Sequence, residues 1–213
     1  MHIPDGILPA SVCAAGYAAT VPIAWYSIHK IRKGGDPREN IPKASLLTAA
    51  FFVASWIHIP VPPTSVHLVL NGLLGVVLGH FAFPAILIGL FFQAVMFQHG
   101  GLTTLGVNAI VMGFPALLSY YIFRFGNIFR KDSNIIAGVF GFLAAFCAIG
   151  LSVSIFVVVL ITNIPGGFDV STERAAIYTL ALAHVPLMFI EGAFTAFVAV
   201  FLRRVQPKLL VRA

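Results

Sequence analysis

The sequence predicts an all-α integral membrane protein of about seven transmembrane helices, with its N-terminus outside and its C-terminus cytoplasmic. Three observations carry that prediction. First, 59% of the 213 residues are hydrophobic and only 9% are charged, against roughly 25% charged in an average soluble domain. Second, the apolar residues fall into runs approaching the ~20 that a helix needs to cross the hydrocarbon core. Third, the basic residues are segregated. Five lie within Lys30 to Lys43, three within Arg124 to Lys131 and four within Arg203 to Arg212, so that only Arg174 of the 13 stands elsewhere. The net charge of +6 is therefore a topology signal, and no aromatic-interleaved basic surface is present to bind nucleic acid.

Taken in order, the apolar runs cover roughly 8–29, 44–58, 66–80, 83–99, 105–123, 134–162 and 175–202. Runs two, three and four are short for a full crossing and suit tilted or re-entrant segments. If all seven cross, every basic patch falls on one side, the cytoplasm. No basic region precedes the first run, so no cleavable signal peptide is expected and Met1 should be retained. The chain reads as one transmembrane domain over 1–213. It comprises an N-terminal segment 1–7, a helical bundle 8–202 and a basic cytoplasmic tail 203–213. The Pro-rich "IPVPPTS" at 59–65 cannot continue a helix and should be a rigid external loop. Gly72, Gly75 and Gly79 then form a small-residue stripe suited to close helix packing. Cys13 and Cys147 sit in apolar stretches and supply neither a disulfide framework nor metal-ligand spacing.

The opening residues "MHIPDG" carry the most specific chemistry. The α-amine of Met1, the backbone nitrogen of His2 and its imidazole Nδ1 can close a five- and a six-membered ring on one metal ion. Ni(II) and Cu(II) reward such square-planar nitrogen ligation. A fourth corner must come from elsewhere. His67, just after the Pro-rich loop on the outer side, is the first candidate, and His58 and His99 are the runners-up. Pro4-Asp5-Gly6 is turn chemistry that folds the terminus back, with a metal to hold its far end. His29 and His80 fall near the cytoplasmic side.

Glu191 stands within the last apolar run, where a carboxylate is costly enough to suggest function. His184, seven residues earlier on the same helical face, could partner it. Glu191 reads either as part of a structural hydrogen-bonded pair or a capped polar group, or in a transport or coupling role, as a relay with His184 in a proton-coupled carrier or channel for a non-metal substrate. The chain shows no HExxH, GxSxG or P-loop sequence. It is not expected to be an enzyme, and energy for uphill transport must come from a partner or an ion gradient.

"MHIPDG", "PPTSVHLVLNGLLGVVLG" at 62–79, "HGGLTTLGVNAIVMG" at 99–113 and "HVPLMFIEGAFTAFVAVFL" at 184–202 together resemble the NikM/CbiM family. Its members are the substrate-binding membrane subunits (S components) of energy-coupling-factor transporters for nickel and cobalt. The resemblance spans essentially the whole chain, and MHIPDG looks more like the nickel branch than the MHIMEG of many cobalt members. It implies a seven-helix subunit in a prokaryotic cell membrane with Met1, His2 and His67 as metal ligands. Ni(II) or Co(II) would be cargo rather than cofactor, and no cofactor is implied. It further implies a transmembrane coupling subunit, a pair of ATP-binding subunits and a small accessory membrane subunit as partners. Coupling subunits of this class pack on alanine stripes, for which Ala10-Ala14-Ala18 and Ala50-Ala54 are the candidates.

Overall fold

The computed structural model describes residues 1–61, 64–129, 133–167 and 169–210. Among them are seven α-helices: α1 (Ala10–Lys33), α2 (Ile41–Ala54), α3 (Asn71–Leu78), α4 (Ala82–Phe97), α5 (Leu105–Phe129), α6 (Asn134–Thr162) and α7 (Val170–Val205). An antiparallel hairpin, β1 (His58–Val61) with β2 (Thr64–His67), joins α2 to α3, and His58 pairs with His67. The Pro-rich stretch is thus a strand pair where a loop is expected, and the chain is not purely helical. His67 ends a strand instead of starting a span.

The third expected span shrinks most. Residues 68–70 belong to no helix or strand, and α3 has 8 residues, about 12 Å of helix. The continuous apolar stretch Asn71–Phe97 would place its ends about 40 Å apart if straight. Instead the rings of His67 and His99, which flank it, lie 5.3 Å apart. Hence α3 leads away from this end of the molecule and α4 returns to it, reversing through a 3-10 turn at Gly79–Phe81 where Gly79 has φ +59°. Asn71–Phe97, Leu105–Gly126, Asn134–Thr162 and Val170–Val205 are the described segments long and apolar enough to cross a membrane. The 24-residue α1 has the length but is more polar, and the 14-residue α2 is short.

The opposite end gathers the basic residues. Lys30 lies over the Tyr26 ring, which packs on His80, and Arg124 donates to the Tyr120 hydroxyl beside it. Lys43 donates to the carbonyls of Val77 and Leu209, capping the far end of α3. Arg203 and Arg204 occupy the last turn of α7. Arg130, Lys131 and Arg212 fall outside the described residues.

Every residue of α3 is buried, and glycine makes that possible. A β-carbon on Gly72 would collide with Ala145 of α6, and one on Gly75 with Ser119 and Ala116 of α5, so the glycine stripe is packing surface. Asn71 donates to the Met112 carbonyl and the Ser152 hydroxyl, and Ser119 donates to the Gly72 carbonyl, pairing donors that water does not reach. The surroundings of α6 and α7 are different. Their most apolar windows are only 33% and 28% buried, an apolar outward face suited to lipid. Ala10, Ala14, Ala18 and Ala50 are exposed, whereas Ala54 is buried.

Candidate metal centre

Residues 1–8 fold back over the bundle, and side chains of the chain itself hold them there. Asn108 on α5 grips Ile3 from both sides: its Oδ1 accepts from the Ile3 N–H at 2.9 Å and its Nδ2 donates to the Ile3 carbonyl at 3.0 Å. Thr104 donates to the same carbonyl. The carboxylate of Asp5 accepts from the N–H groups of Leu102 and Thr103 and from the Thr103 hydroxyl; the hydroxyl is the main reason its acidity is raised. Gly6, at φ +84°, then turns the chain toward α1. The far end of the Pro4-Asp5-Gly6 turn is therefore held by protein groups, and a metal is not needed to hold it.

This clamp buries Met1 (6% exposed) against His67 (6% exposed), with the α-amine 2.9 Å from His67 Nε2. His67 Nδ1 lies 2.9 Å from the Leu68 carbonyl. A carbonyl only accepts, so Nδ1 carries the proton and Nε2 the lone pair. His2 is oriented by Gln93, whose Oε1 lies 2.9 Å from His2 Nε2. Gln93 Nε2 is committed to Ser55 Oγ at 3.1 Å and to the last carbonyls of α2, so the amide oxygen faces the ring. His2 Nε2 is then the donor, and its lone pair sits on Nδ1, a buried atom with no hydrogen-bond partner.

Gln98, at φ +53°, ends α4 and swings His99 back so that its N–H meets the Gln93 carbonyl. The His99 ring packs 4.1 Å from His2, and the ligand nitrogens of His2, His67 and His99 all lie within 4.8 Å of one another. A cavity of about 330 Å³ opens beside them, lined by Met1, His2, His67, His99, Gln98 and Gly100 among others. His58 pairs with His67 through backbone, and its side chain lies outside the described residues.

Burial strips these bases of their protons. It pushes the Met1 amine down to about 5, and burial plus the adjacent amine pushes His67 down to about 2. His2 is depressed well below the usual imidazole range, again chiefly by burial. Desolvation disfavours each cationic form, leaving neutral nitrogens at neutral pH. The spacing suits a metal as well. With metal–nitrogen bonds of about 2.0–2.1 Å, adjacent corners of a square are about 2.9 Å apart, which is the distance from the Met1 amine to His67 Nε2.

Two residues unforeseen from the sequence matter here. Gln93 and Asn108 are single polar side chains within apolar runs, the type of residue that marks function or pairing in a membrane. Replacing Gln93 with leucine should release His2 to either tautomer and lower metal affinity by about 10- to 100-fold, as loss of such outer support does. Calorimetric titration would read this directly, and an unchanged affinity refutes the assignment.

The expected Glu191–His184 pair does not form. Glu191, 1% exposed, instead accepts from the backbone N–H groups of Val69 and Leu70, the latter at 2.7 Å. His184 Nδ1 bonds within its own helix to the Leu180 carbonyl at 2.7 Å. Helical spacing correctly placed both side chains inward, but the segment just before α3 takes the carboxylate.

Comparison with known proteins agrees with this architecture. The CbiM family, described as the cobalt uptake substrate-specific transmembrane region, matches residues 2–209. The cobalt transport protein CbiM of Sorangium cellulosum is 31% identical over 100% of this chain and 95% of its own length. That of Thermosipho melanesiensis is 33% identical over 93% of this chain and 84% of its own. A protein of Archaeoglobus fulgidus named for fused nickel transport, NikMN, is 29% identical over 99% of this chain and 68% of its own length. The crystal structure of a transition metal transporter superposes with a TM-score of 0.79 at 24% identity, covering 96% of this chain and 93% of the other; it shares the fold. From the clamped N-terminus to the last helix, the chain belongs to the CbiM family of substrate-specific transmembrane regions.

Proposed function

We propose that this chain is the substrate-specific subunit of an ATP-driven energy-coupling-factor importer, and that it captures Ni(II) or Co(II). The ligands would be the Met1 amine, the His2 amide nitrogen and Nδ1, and His67 Nε2. One observation carries the reading: a buried amine lies 2.9 Å from His67 Nε2, in the segment where His2 Nδ1 is buried without a partner. A square of four nitrogens favours Ni(II) over Co(II), which accepts other geometries more readily. The relatives named for cobalt and for nickel transport support both as cargo.

In this reading the helical bundle is embedded in the cell membrane, with the short α3 buried inside it, the metal centre at the outer face and the basic end in the cytoplasm, as positive charge prefers. A coupling subunit would dock on the exposed Ala10-Ala14-Ala18 face of α1. ATP-binding subunits would drive reorientation, with a small accessory membrane subunit as a further partner. Release would follow reprotonation of the His2 amide or withdrawal of His67.

Calorimetry on the purified protein tests the capture step. One Ni(II) per chain is expected. Because the amine and imidazoles are already neutral near pH 7, about one proton, that of the His2 amide, should leave per metal bound. Titrations in buffers of different ionisation enthalpy count it. No heat with either metal would sink the reading.

A further inference from the structure

The bonds around Glu191 reach the metal centre through a single peptide unit. The carbonyl of Leu68 accepts from His67 Nδ1, and the N–H on the other side of that same peptide bond, that of Val69, donates to Glu191. In a trans peptide these two groups point in opposite directions within one plane. The order is therefore carboxylate, peptide, imidazole, with His67 Nε2 presented to the Met1 amine at the far end. The second carboxylate oxygen takes the next N–H, that of Leu70, so the peptide plane can neither rotate nor slide.

We propose that Glu191 is a positioning residue of the metal centre, acting on His67 through the Leu68–Val69 peptide. This rests on His67 being a metal ligand. A carboxylate bonded to a ligating histidine commonly fixes its ring and raises its basicity; here a polarisable peptide is interposed, and hydrogen bonds in a chain reinforce one another. The local backbone requires such a hold. Leu70 has φ +55°, a left-handed conformation unfavourable for a residue with a side chain, and α3 has no side-chain cap of its own from its N-cap residue. Val69 (1% exposed), Leu70 (7%) and Glu191 (1%) are buried, so water cannot replace the carboxylate. Since Glu191 sits on α7 and His67 on the hairpin, the relay also ties metal affinity to the placement of α7 against α3. Movement of α7 away from α3 would loosen His67 through this relay.

A double-mutant cycle with Glu191→Gln and His67→Ala, read by Ni(II) titration and visible absorption, tests this. Glutamine keeps the size but offers one acceptor, leaving an N–H facing its amide. Glu191→Gln alone should lower Ni(II) affinity by about 10- to 100-fold and shift the ligand-field band toward that of His67→Ala. In the His67→Ala background the same change should cost less than about threefold, since coupled residues are not additive. An equal cost in both backgrounds overturns the proposal. If His67→Ala binds Ni(II) as tightly as the parent, the assignment of His67 as ligand fails instead, which is a separate result. Should Glu191→Gln not fold, Glu191→Asp, which retains the charge but withdraws it by one carbon, enters the cycle with the same criterion.

Discussion

Two glycines added ahead of Met1 are expected to lower Ni(II) affinity by more than about a hundredfold, equivalent to ~3 kcal/mol. The extension leaves every side chain in the centre unchanged. It converts the Met1 amine to an amide and carries the new amine about two residues away, each ~3.8 Å between α-carbons. The cavity of about 330 Å³ that borders Met1 gives the added residues space, while Asn108 and Asp5 still hold Ile3 and the turn. The melting temperature of the metal-free protein should therefore change little while binding collapses. Two residues are preferable to one, because an amine two residues before histidine completes a four-nitrogen chelate by itself. The one-residue extension should accordingly bind Ni(II) independently of His67. Affinity within about threefold of the parent after the two-residue extension would remove the amine from the ligand set.

The Met1–His2 part of the candidate centre was legible because it is local. Met1 and His2 are adjacent, so their chelate rings follow from covalent connectivity. Charge segregation was legible for a similar reason, since it depends on order along the chain. What could not be read were partnerships between distant segments. Gln93 looks like a lone polar residue in "LFFQAV" until His2, 91 residues away, is set beside it. Glu191 has a histidine on its own helical face, and periodicity offers that neighbour; its partners are backbone groups 121 and 122 residues distant. The strand pair was hidden because backbone pairing between His58–Val61 and Thr64–His67 leaves little trace in a Pro-rich stretch. The brevity of α3 was hidden because apolarity continues unbroken through the reversal, and Gly79 is the small mark of where it turns.

His67→Ala is expected to have the second large effect, and its character distinguishes a ligand from a supporting residue. The substitution leaves the Met1–His2 chelate intact with three nitrogens and opens the fourth corner to water, a weaker ligand for Ni(II) than imidazole. Affinity should fall by about a hundredfold, ~2.7 kcal/mol, and the ligand-field band should move to longer wavelength as one nitrogen is replaced by oxygen. The space vacated borders the same open cavity as Met1, His2 and His99, so imidazole supplied in solution can enter it. Millimolar imidazole should restore both the band position and most of the affinity in His67→Ala while changing neither in the parent. His99, whose ring lies 5.3 Å from that of His67, is the side chain placed to take over the corner. Parental affinity in His67→Ala without added imidazole, lost in the His67→Ala, His99→Ala double variant, would place His99 in the fourth position and remove His67 from it. No loss in either variant would mean that the square is closed by something other than these rings, because an unpartnered lone pair at His2 Nδ1 and a neutral amine at Met1 supply only part of it.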